Sequence, residues 1–567
     1  MQLKKGLKFI DVFSIASGAM ISSGIFILPG LAFRLTGPSM FVSYLLAGIL
    51  ALSGVLSIVE LSTAMPKAGG DYFFVTRSMG PMIGTVSGFL SWFALSLKTA
   101  FAIFGISIIF QSFIKIEFGF NLASADASVL AISIIITIIF VLLNIVGVEH
   151  AGRAEVYLVV ALLALMIAYV FIGMPKVQVK KFEPFTYNGL AGLLATSGFV
   201  FVSFGGLLKV ASISEEVENP KKNIPLGLIA SVVSISIIYA LLLIVTVGVS
   251  DPSKLSGSTE PISQAARSFM GETGYVVMTI AALLAFITTA NAGIMAASRY
   301  PLALSRDNLL PGFLSKVNKR LKTPIISIIL TGFFIVLSLF LPLEFLAKAA
   351  STVILTTYIL SNIAIIILRT SKVQNYRPSF KSPMFPWIQI TGIVIFILLI
   401  IETGLISVGI SLGITVIAVL IYFIYGRKQA AREYAFLHLI ERITDKKLTS
   451  HNLESELREV IRQRDDVVKD VIDELIIEAP VIDFENKITS DEVFEKVSEA
   501  LHKDLGLSVK KLKEYLKKRE LDSSTVITPF VAIPHTVIPG TDTFKIAIVR
   551  SKEGIVFGDD NVKAAFI

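Results

Sequence analysis

Residues 9–34 read FIDVFSIASGAMISSGIFILPGLAFR. A bilayer is crossed by about 20 apolar residues, so the stretch is long enough to span one. Its middle, Gly18-Ala19-Met20-Ile21-Ser22-Ser23-Gly24-Ile25-Phe26, is nevertheless made largely of small and hydroxylated residues. Glycine inside a helix costs about 1 kcal/mol against alanine, so this membrane helix is expected to break there. A second stretch, residues 190–214, carries Ser203-Phe204-Gly205-Gly206 and is expected to break in the same way. Small residues also let membrane helices pack closely, which is the plainer reading of either cluster taken alone.

Working outward, further apolar stretches lie near residues 40–64, 83–114, 128–148, 153–173, 225–249, 273–299, 324–342, 344–369, 386–404 and 406–426. The fold expected is all-α and polytopic, with about twelve transmembrane helices of which the first and sixth are broken. Each broken helix opens a five-helix half, the pattern of a 5+5 inverted repeat with its binding site at the two breaks.

The composition agrees. Of 567 residues, 54% are hydrophobic and 17% charged, whereas soluble domains carry about 25% charged residues. About 45 charges fall in residues 1–426 and about 49 in residues 427–567, so the solvent changes from lipid to water just after IYFIYGRK. Three parts are expected: a transmembrane domain over 1–426, a helical cytoplasmic linker over 427–479 with Leu453, Leu457, Val460 and Ile461 at helical spacing, and a soluble α/β domain over 480–567. The net charge of +8 splits into about +11 before the boundary and about −3 after it, so the basic residues serve orientation and anionic headgroups and not nucleic acid. An even number of crossings places both termini on one side. With that side cytoplasmic, inside loops hold about 20 Lys and Arg and outside loops about 8, which supports a cell-membrane protein with cytoplasmic termini. There is no cysteine, which excludes disulfides and thiolate metal sites. MQLKKGLKF leads into a retained helix and not a cleaved signal.

A broken helix exposes N–H groups at the start of one half and carbonyls at the end of the other, which together suit a zwitterionic amino acid. Ile21, Ser22, Ser23, Gly24 and Ile25 are expected around its carboxylate, and Ser203, Phe204, Gly205 and Gly206 around its ammonium. Neither break holds an acidic residue, which favours neutral substrates. Lys98 and Lys209 lie within apolar spans, where a lysine must be paired, neutral or solvated, or must snorkel to the interface. Either is a candidate for proton coupling. Sodium is the alternative, with Thr288 and Thr289 joining backbone carbonyls near Ala19 and Ser22, although threonine in a membrane helix ordinarily bonds its own backbone. Glu60, Glu215, Glu216 and Arg299 are candidate gating residues, the acids being expected to pair with Arg77, Arg153 or Arg299, with solvated interfacial charges as the plainer reading. The five histidines are scattered and argue for no metal site.

From Phe9 to about Lys322 the chain resembles the amino acid–polyamine–organocation (APC) superfamily of permeases. GAMISSGIF resembles its first-helix signature. Glu60-Leu61 with Pro66-Lys67-Ala68-Gly69-Gly70-Asp71-Tyr72 resembles its second-helix exit and first cytoplasmic loop. Glu215-Glu216-Val217-Glu218-Asn219-Pro220 with Asn223-Ile224-Pro225, and Arg299, Arg306, Asp307 and Pro311, complete the match. The resemblance implies an alternating-access carrier of amino acids with two helices added to the repeat. Some members use an amine on helix 5 as a proton-linked switch. Helix 5 here, Tyr157 to Ile172, has no lysine, which leaves that role to Lys98 or Lys209.

In the tail, helices are expected over Asp491–Leu505, with Ser490 as N-cap, and over Val509–Arg519, and strands over Phe530–Ile533 and Phe544–Val549. Leu512 through Arg519-Glu520-Leu521-Asp522-Ser523-Ser524-Thr525-Val526 to Val531-Ala532-Ile533-Pro534-His535 resembles the fructose- and mannitol-type enzyme IIA domain of the sugar phosphotransferase system. That resemblance implies His535 as phosphoryl acceptor and a phosphocarrier protein as partner. The family domain continues for several tens of residues and supplies a second histidine, so either the sequence is a fragment or the domain is incomplete, and a regulatory or vestigial role is expected. Three functions compete: a proton-coupled amino acid transporter with a regulatory domain, a membrane-tethered phosphoryl carrier, and an amino acid sensor that binds without transport.

Overall fold

The computed structural model of the chain describes residues 6–67, 70–118, 125–146, 151–212, 214, 217–373 and 376–428, a few positions between 434 and 476, and then 478–522, 525–528, 530–538, 545–558 and 560–567. The chain divides into two compact units, Met1–Arg464 and Asp465–Ile567. Most of the expected linker over 427–479, with Leu453 and Ile461, lies outside the described residues.

The first unit is helical. Its helices are α1 (Phe9–Met20), α2 (Ser23–Phe26), α3 (Leu28–Thr36), α4 (Met40–Ala64), α5 (Gly70–Met79), α6 (Pro81–Phe118), α7 (Ala125–Val146), α8 (Ala151–Gly173), α9 (Gly189–Phe199), α10 (Leu207–Ser212), α11 (Pro220–Val249), α12 (Pro252–Leu255), α13 (Pro261–Arg306), α14 (Ile325–Ser338), α15 (Leu343–Ser371), α16 (Trp387–Glu402) and α17 (Leu405–Ile424). Among the described residues, nine helices are long and apolar enough to cross a membrane, and Phe9–Met20, Ile325–Ser338 and Trp387–Glu402 are shorter apolar helices. A helix satisfies its own backbone polar groups, the condition for a span in lipid. Ile135, Ile138, Ile139 and Leu142 of α7 and Leu412, Val416 and Leu420 of α17 stay exposed, as side chains facing acyl chains do. α6 packs along α13 and α15, and α4 along α11. α13 bends at Gly271, whose φ of 68° is open to glycine. The first cytoplasmic loop expected after residue 64 contains a buried helix, α5, packed on α6 and α15.

The second unit holds strands β1 (Val481–Phe484), β2 (Ile488–Thr489), β3 (Val526–Thr528), β4 (Val531–Ala532), β5 (Ile548–Phe557) and β6 (Asp560–Phe566), with helices α18 (Ser490–Leu501) and α19 (Val509–Asp522). The sheet runs β1-β5-β6-β4-β3, with β2 also paired to β5. β5 is parallel to β1 and antiparallel to β6. Val493, Phe494, Val497, Val549, Ile555, Phe557 and Val562 form the core. The N-cap of α18 is Thr489 and not Ser490: Thr489 and Glu492 make a reciprocal capping box that fixes the first turn one residue earlier than expected.

Close helix packing in the first unit rests on glycine at α4. A side chain added at Gly54 would fall inside contact distance of the Tyr358 ring on α15, whereas one added at Gly409 on α17 would meet nothing within 4 Å. Overpacking of this kind costs about 1–3 kcal/mol. Gly54→Val is expected to lower the melting temperature of the purified protein by several degrees in detergent, read by fluorescence scanning, and Gly409→Val to leave it in place.

Candidate functional site

The first break is local and sharp. α1 ends at Met20, Ile21 and Ser22 take extended backbone (ψ of 92° and −159°), and helix resumes at Ser23. At the second, α9 ends at Phe199, Val200–Phe204 tightens into a 3-10 turn, and α10 starts at Leu207 after Gly205 and Gly206. The interruptions face each other. A Cβ at Gly24 would run into Ser203, and one at Gly206 into the backbone and side chain of Ala19. Ile21, Ser22, Ser23, Gly24 and Ile25 thus meet Ser203, Phe204, Gly205 and Gly206 in one fully buried place.

Interrupting a helix frees carbonyls that lipid cannot hydrogen-bond. Side chains from intact helices take them up. Tyr239 Oη on α11 donates to the Met20 carbonyl at 2.8 Å, and Tyr44 Oη on α4 to the Gly24 carbonyl at 2.7 Å. Tyr358 Oη on α15 donates to the Phe204 carbonyl at 3.1 Å. Ser351, also on α15, receives the Val202 N–H at 2.9 Å and donates to the Phe199 carbonyl at 2.7 Å. Lys98 on α6 reaches both breaks, with Nζ donating to the Ala19 carbonyl at 2.7 Å and to the Val202 carbonyl at 3.2 Å. In contrast, the buried hydroxyls of Ser22 and Ser23 have no hydrogen-bond partner. Ser203 at the second break is unpartnered too, as are several hydroxyls away from the breaks, among them Ser14, Ser62 and Thr196.

Beside the breaks is a cavity of ≈ 30 Å³, lined among others by Ala19, Lys98, Gly206, Lys209, Thr288 and Thr289. That is room for about two waters. Both lysines are more than nine-tenths buried, and the four candidate coupling residues share this one space. Thr288 bonds its own helix, to the Leu284 and Ala285 carbonyls, both at 3.0 Å, as expected of an ordinary membrane threonine. The hydroxyl of Thr289 is buried without a partner.

The expected pairing of Glu60 is corrected. Its carboxylate, fully buried at the end of α4, takes the Arg369 guanidinium of α15 through Nε at 2.6 Å and through a second N–H, plus the Tyr376 hydroxyl at 3.2 Å and the Ser382 N–H at 2.6 Å. Arg77 instead lies 3.4 Å from Asp307, which also accepts from Tyr72 at 2.7 Å. Arg299 is half-buried on α13. Glu215 and Glu216 lie outside the described residues, as do the side-chain surroundings of Arg153. At the other end of α15, Glu344 joins Arg34 of α3 at 2.6 Å and Lys348 at 2.8 Å. In the second unit His535 is exposed, and its Nδ1 lies 3.0 Å from the Ile533 carbonyl. A carbonyl only accepts, so in this contact Nδ1 carries the hydrogen. Among the described residues no group of three or more His, Asp or Glu side chains is placed to hold a metal.

Sequence reading missed Tyr44, Tyr239, Tyr358, Ser351, Arg34, Glu344 and Arg369. The charged ones left a signal, since each falls at the end of an apolar stretch. The tyrosines left a fainter one, a phenol amid an otherwise apolar span.

Comparison with known proteins covers both units. The family model described as amino acid permease matches residues 7–425. That of the phosphoenolpyruvate-dependent sugar phosphotransferase system, EIIA 2, matches residues 475–567. The branched-chain amino acid permease BcaP of Bacillus subtilis is 29% identical over 445 residues, 76% of this chain and 94% of that relative. The methylthioribose transporter of the same organism is 27% identical, covering 76% of this chain and 95% of the relative. Cationic amino acid transporter 1 of Arabidopsis thaliana is 24% identical over 65% of this chain and 63% of its own length.

The Glu60–Arg369 pair supplies its own test. Removing one partner of a buried ion pair strands the other charge and costs about 3–5 kcal/mol. Glu60→Gln and Arg369→Met are each expected to cut the yield of folded protein and its melting temperature sharply. The double replacement is expected to recover more than half of that loss in a double-mutant cycle.

Proposed function

The chain belongs to the amino acid permease family, and on that premise we propose that it is a secondary carrier moving amino acids across the cytoplasmic membrane by alternating access. The observation that carries this reading is the pair of facing helix breaks, with the Ser22 and Ser23 hydroxyls buried and unpartnered between them. The nine long apolar helices and three shorter ones are read as twelve crossings, a 5+5 inverted repeat followed by two helices, with both termini cytoplasmic. The N–H groups around Ser22, Ser23 and Gly24 take the substrate carboxylate, at the positive end of α2. Backbone at Ser203–Gly206 takes its ammonium. The branched-chain relative and the lack of an acidic residue in either break favour neutral amino acids.

Coupling to protons is favoured over sodium. The Lys98 amine holds the Ala19 carbonyl, one of the oxygens a sodium ion beside Thr288 and Thr289 would need, and the Val202 carbonyl of the second break. Loss of its charge weakens its hold on both breaks at once, which ties protonation to the conformation of the site. Lys209 shares the cavity and tunes that charge. Glu60, with Arg369, is read as a cytoplasmic gating contact, and Glu215, Glu216 and Arg299 as its neighbours in that role.

For the tail, the exposure of His535 and the match to the EIIA 2 family model support a second activity, acceptance of a phosphoryl group from a phosphocarrier protein, with regulation of transport as its use. On this reading a membrane-tethered phosphoryl carrier is a second function of the same chain.

A thermal-shift screen of twenty amino acids on purified protein, followed by uptake of the best one into proteoliposomes, tests the main reading. Binding without counterflow would make the protein a sensor. Gly206→Val is expected to abolish the thermal shift and, because the added carbons overlap the Ala19 backbone, to lower the ligand-free melting temperature by several degrees as well. Lys98→Met is expected to lose pH-gradient-driven uptake by about tenfold or more, and uptake driven by an imposed sodium gradient at fixed pH would overturn proton coupling. Incubation with phosphoenolpyruvate and the general phosphotransferase proteins is expected to label wild type and not His535→Ala.

A further inference from the structure

We propose that the hydroxyls of Tyr44, Tyr239 and Tyr358 are positioning groups of the transport site, holding the two interrupted backbones open so that the N–H groups and the unpartnered serines stay available to substrate. The inference rests on the carrier reading above and names which side chains set its affinity.

Three helices that are themselves unbroken, α4, α11 and α15, each send one tyrosine to a carbonyl at the edge of a break. Tyr239 takes Met20, the last helical residue of α1, and Tyr44 takes Gly24, just past the gap. The gap of Ile21 and Ser22 is therefore pinned on both sides. Tyr358 takes Phe204 at the end of the 3-10 turn. All three rings are fully buried. Phenylalanine would fill the same volume without burying a hydroxyl, so in packing terms the oxygen is a liability unless its bond matters. The rings are also locked to the breaks and to one another. Tyr44 and Tyr239 meet edge to face with centroids 6.0 Å apart, Phe204 lies 5.9 Å from Tyr239, and Phe201 lies 5.7 Å from Tyr358. The donors are thus held at fixed positions and do not have to be ordered when substrate arrives, the condition for a preorganised site.

The alternative for an unpinned break is to rewind. A continuous helix through residues 18–26 would pair the N–H groups of Ser23 and Gly24 with carbonyls four residues back and remove them from the substrate. In a medium without water, the freed carbonyls at Met20 and Gly24 drive the chain toward that state unless another donor is supplied. The three phenols supply it. Tyr169 is the natural contrast. It is equally buried, but its hydroxyl meets Thr246 Oγ1 at 2.8 Å, a contact between two side chains away from either break.

Tyr44→Phe, Tyr239→Phe and Tyr358→Phe, with Tyr169→Phe as comparison, are made in the full chain and assayed in proteoliposomes with the amino acid that shifts wild type most. Each of the first three is expected to raise KM about tenfold, the loss of roughly one buried hydrogen bond, to lower Vmax less than threefold, and to shrink the substrate-induced thermal shift. Tyr169→Phe is expected to keep the wild-type KM. Ser351→Ala, a small change that removes the donor to Phe199 and the acceptor of Val202, gives an independent reading at the second break and is expected to raise KM as well. KM values within twofold of wild type in all four break-edge variants would overturn the proposal, as would an equal rise in Tyr169→Phe. A wild-type protein that neither shifts with nor takes up any amino acid would overturn the carrier reading instead.

Discussion

Everything in the first unit answers to one constraint: peptide groups released by breaking a helix inside lipid have no water to turn to. The chain breaks two helices in the same buried place, and the surrounding helices carry the matching donors. Lys98 from α6, Tyr44 from α4, Tyr239 from α11, and Tyr358 and Ser351 from α15 converge on carbonyls of Ala19, Met20, Phe199, Val202, Gly24 and Phe204. Within the gap the Ser22 and Ser23 hydroxyls stay unmatched, as do Thr289 beside it and several hydroxyls elsewhere, among them Ser14, Ser17 and Ser62. Donors on intact helices thus stabilise the interruption.

Charge follows the same economy. Glu60 is fully buried yet receives four donors, so its desolvation is offset at close range. The polar network continues along α4 and α15, where Ser57 donates to Asn362 at 2.7 Å, and Gln389 of α16 donates to Ser382 at 2.8 Å. None of these groups belongs to the breaks. They fasten the ends of α4 and α15 together at a distance from the ligand gap.

The helical class and the two glycine-bearing segments at which the first and sixth apolar stretches are interrupted could be read from composition and sequence, because these are local properties of the chain. The donors could not. Tyr239 and Met20 are 219 residues apart, and Arg369 and Glu60 are 309 apart, and no spacing rule connects such positions. Arg77, Arg153 and Arg299 are the partners expected for Glu60, and nothing in the sequence ranks Arg369 above them; what selects it is that α15 runs beside α4. In the tail, the helices were legible from their sequence, but β1, β2 and β3 were not. Their runs are only four, two and three residues long, and β5 pairs with β1 across 67 positions, as Asp483 and Arg550 do. The one-residue error at the start of α18 arose because Thr489 and Ser490 are both good caps and only Thr489 has Glu492 three residues on.

α15 carries a consequence that concerns stiffness. Leu343–Ser371 is one helix of 29 residues, about 43 Å from end to end at 1.5 Å per residue. It is tied at its first turn through Glu344 to Arg34, near its centre through Ser351 and Tyr358 to the second break, and at its last turn through Arg369 to Glu60. A helix fastened at both tips and near its middle resists bending along its whole length, so a displacement imposed at either tip bears on the peptide groups it holds at the second break.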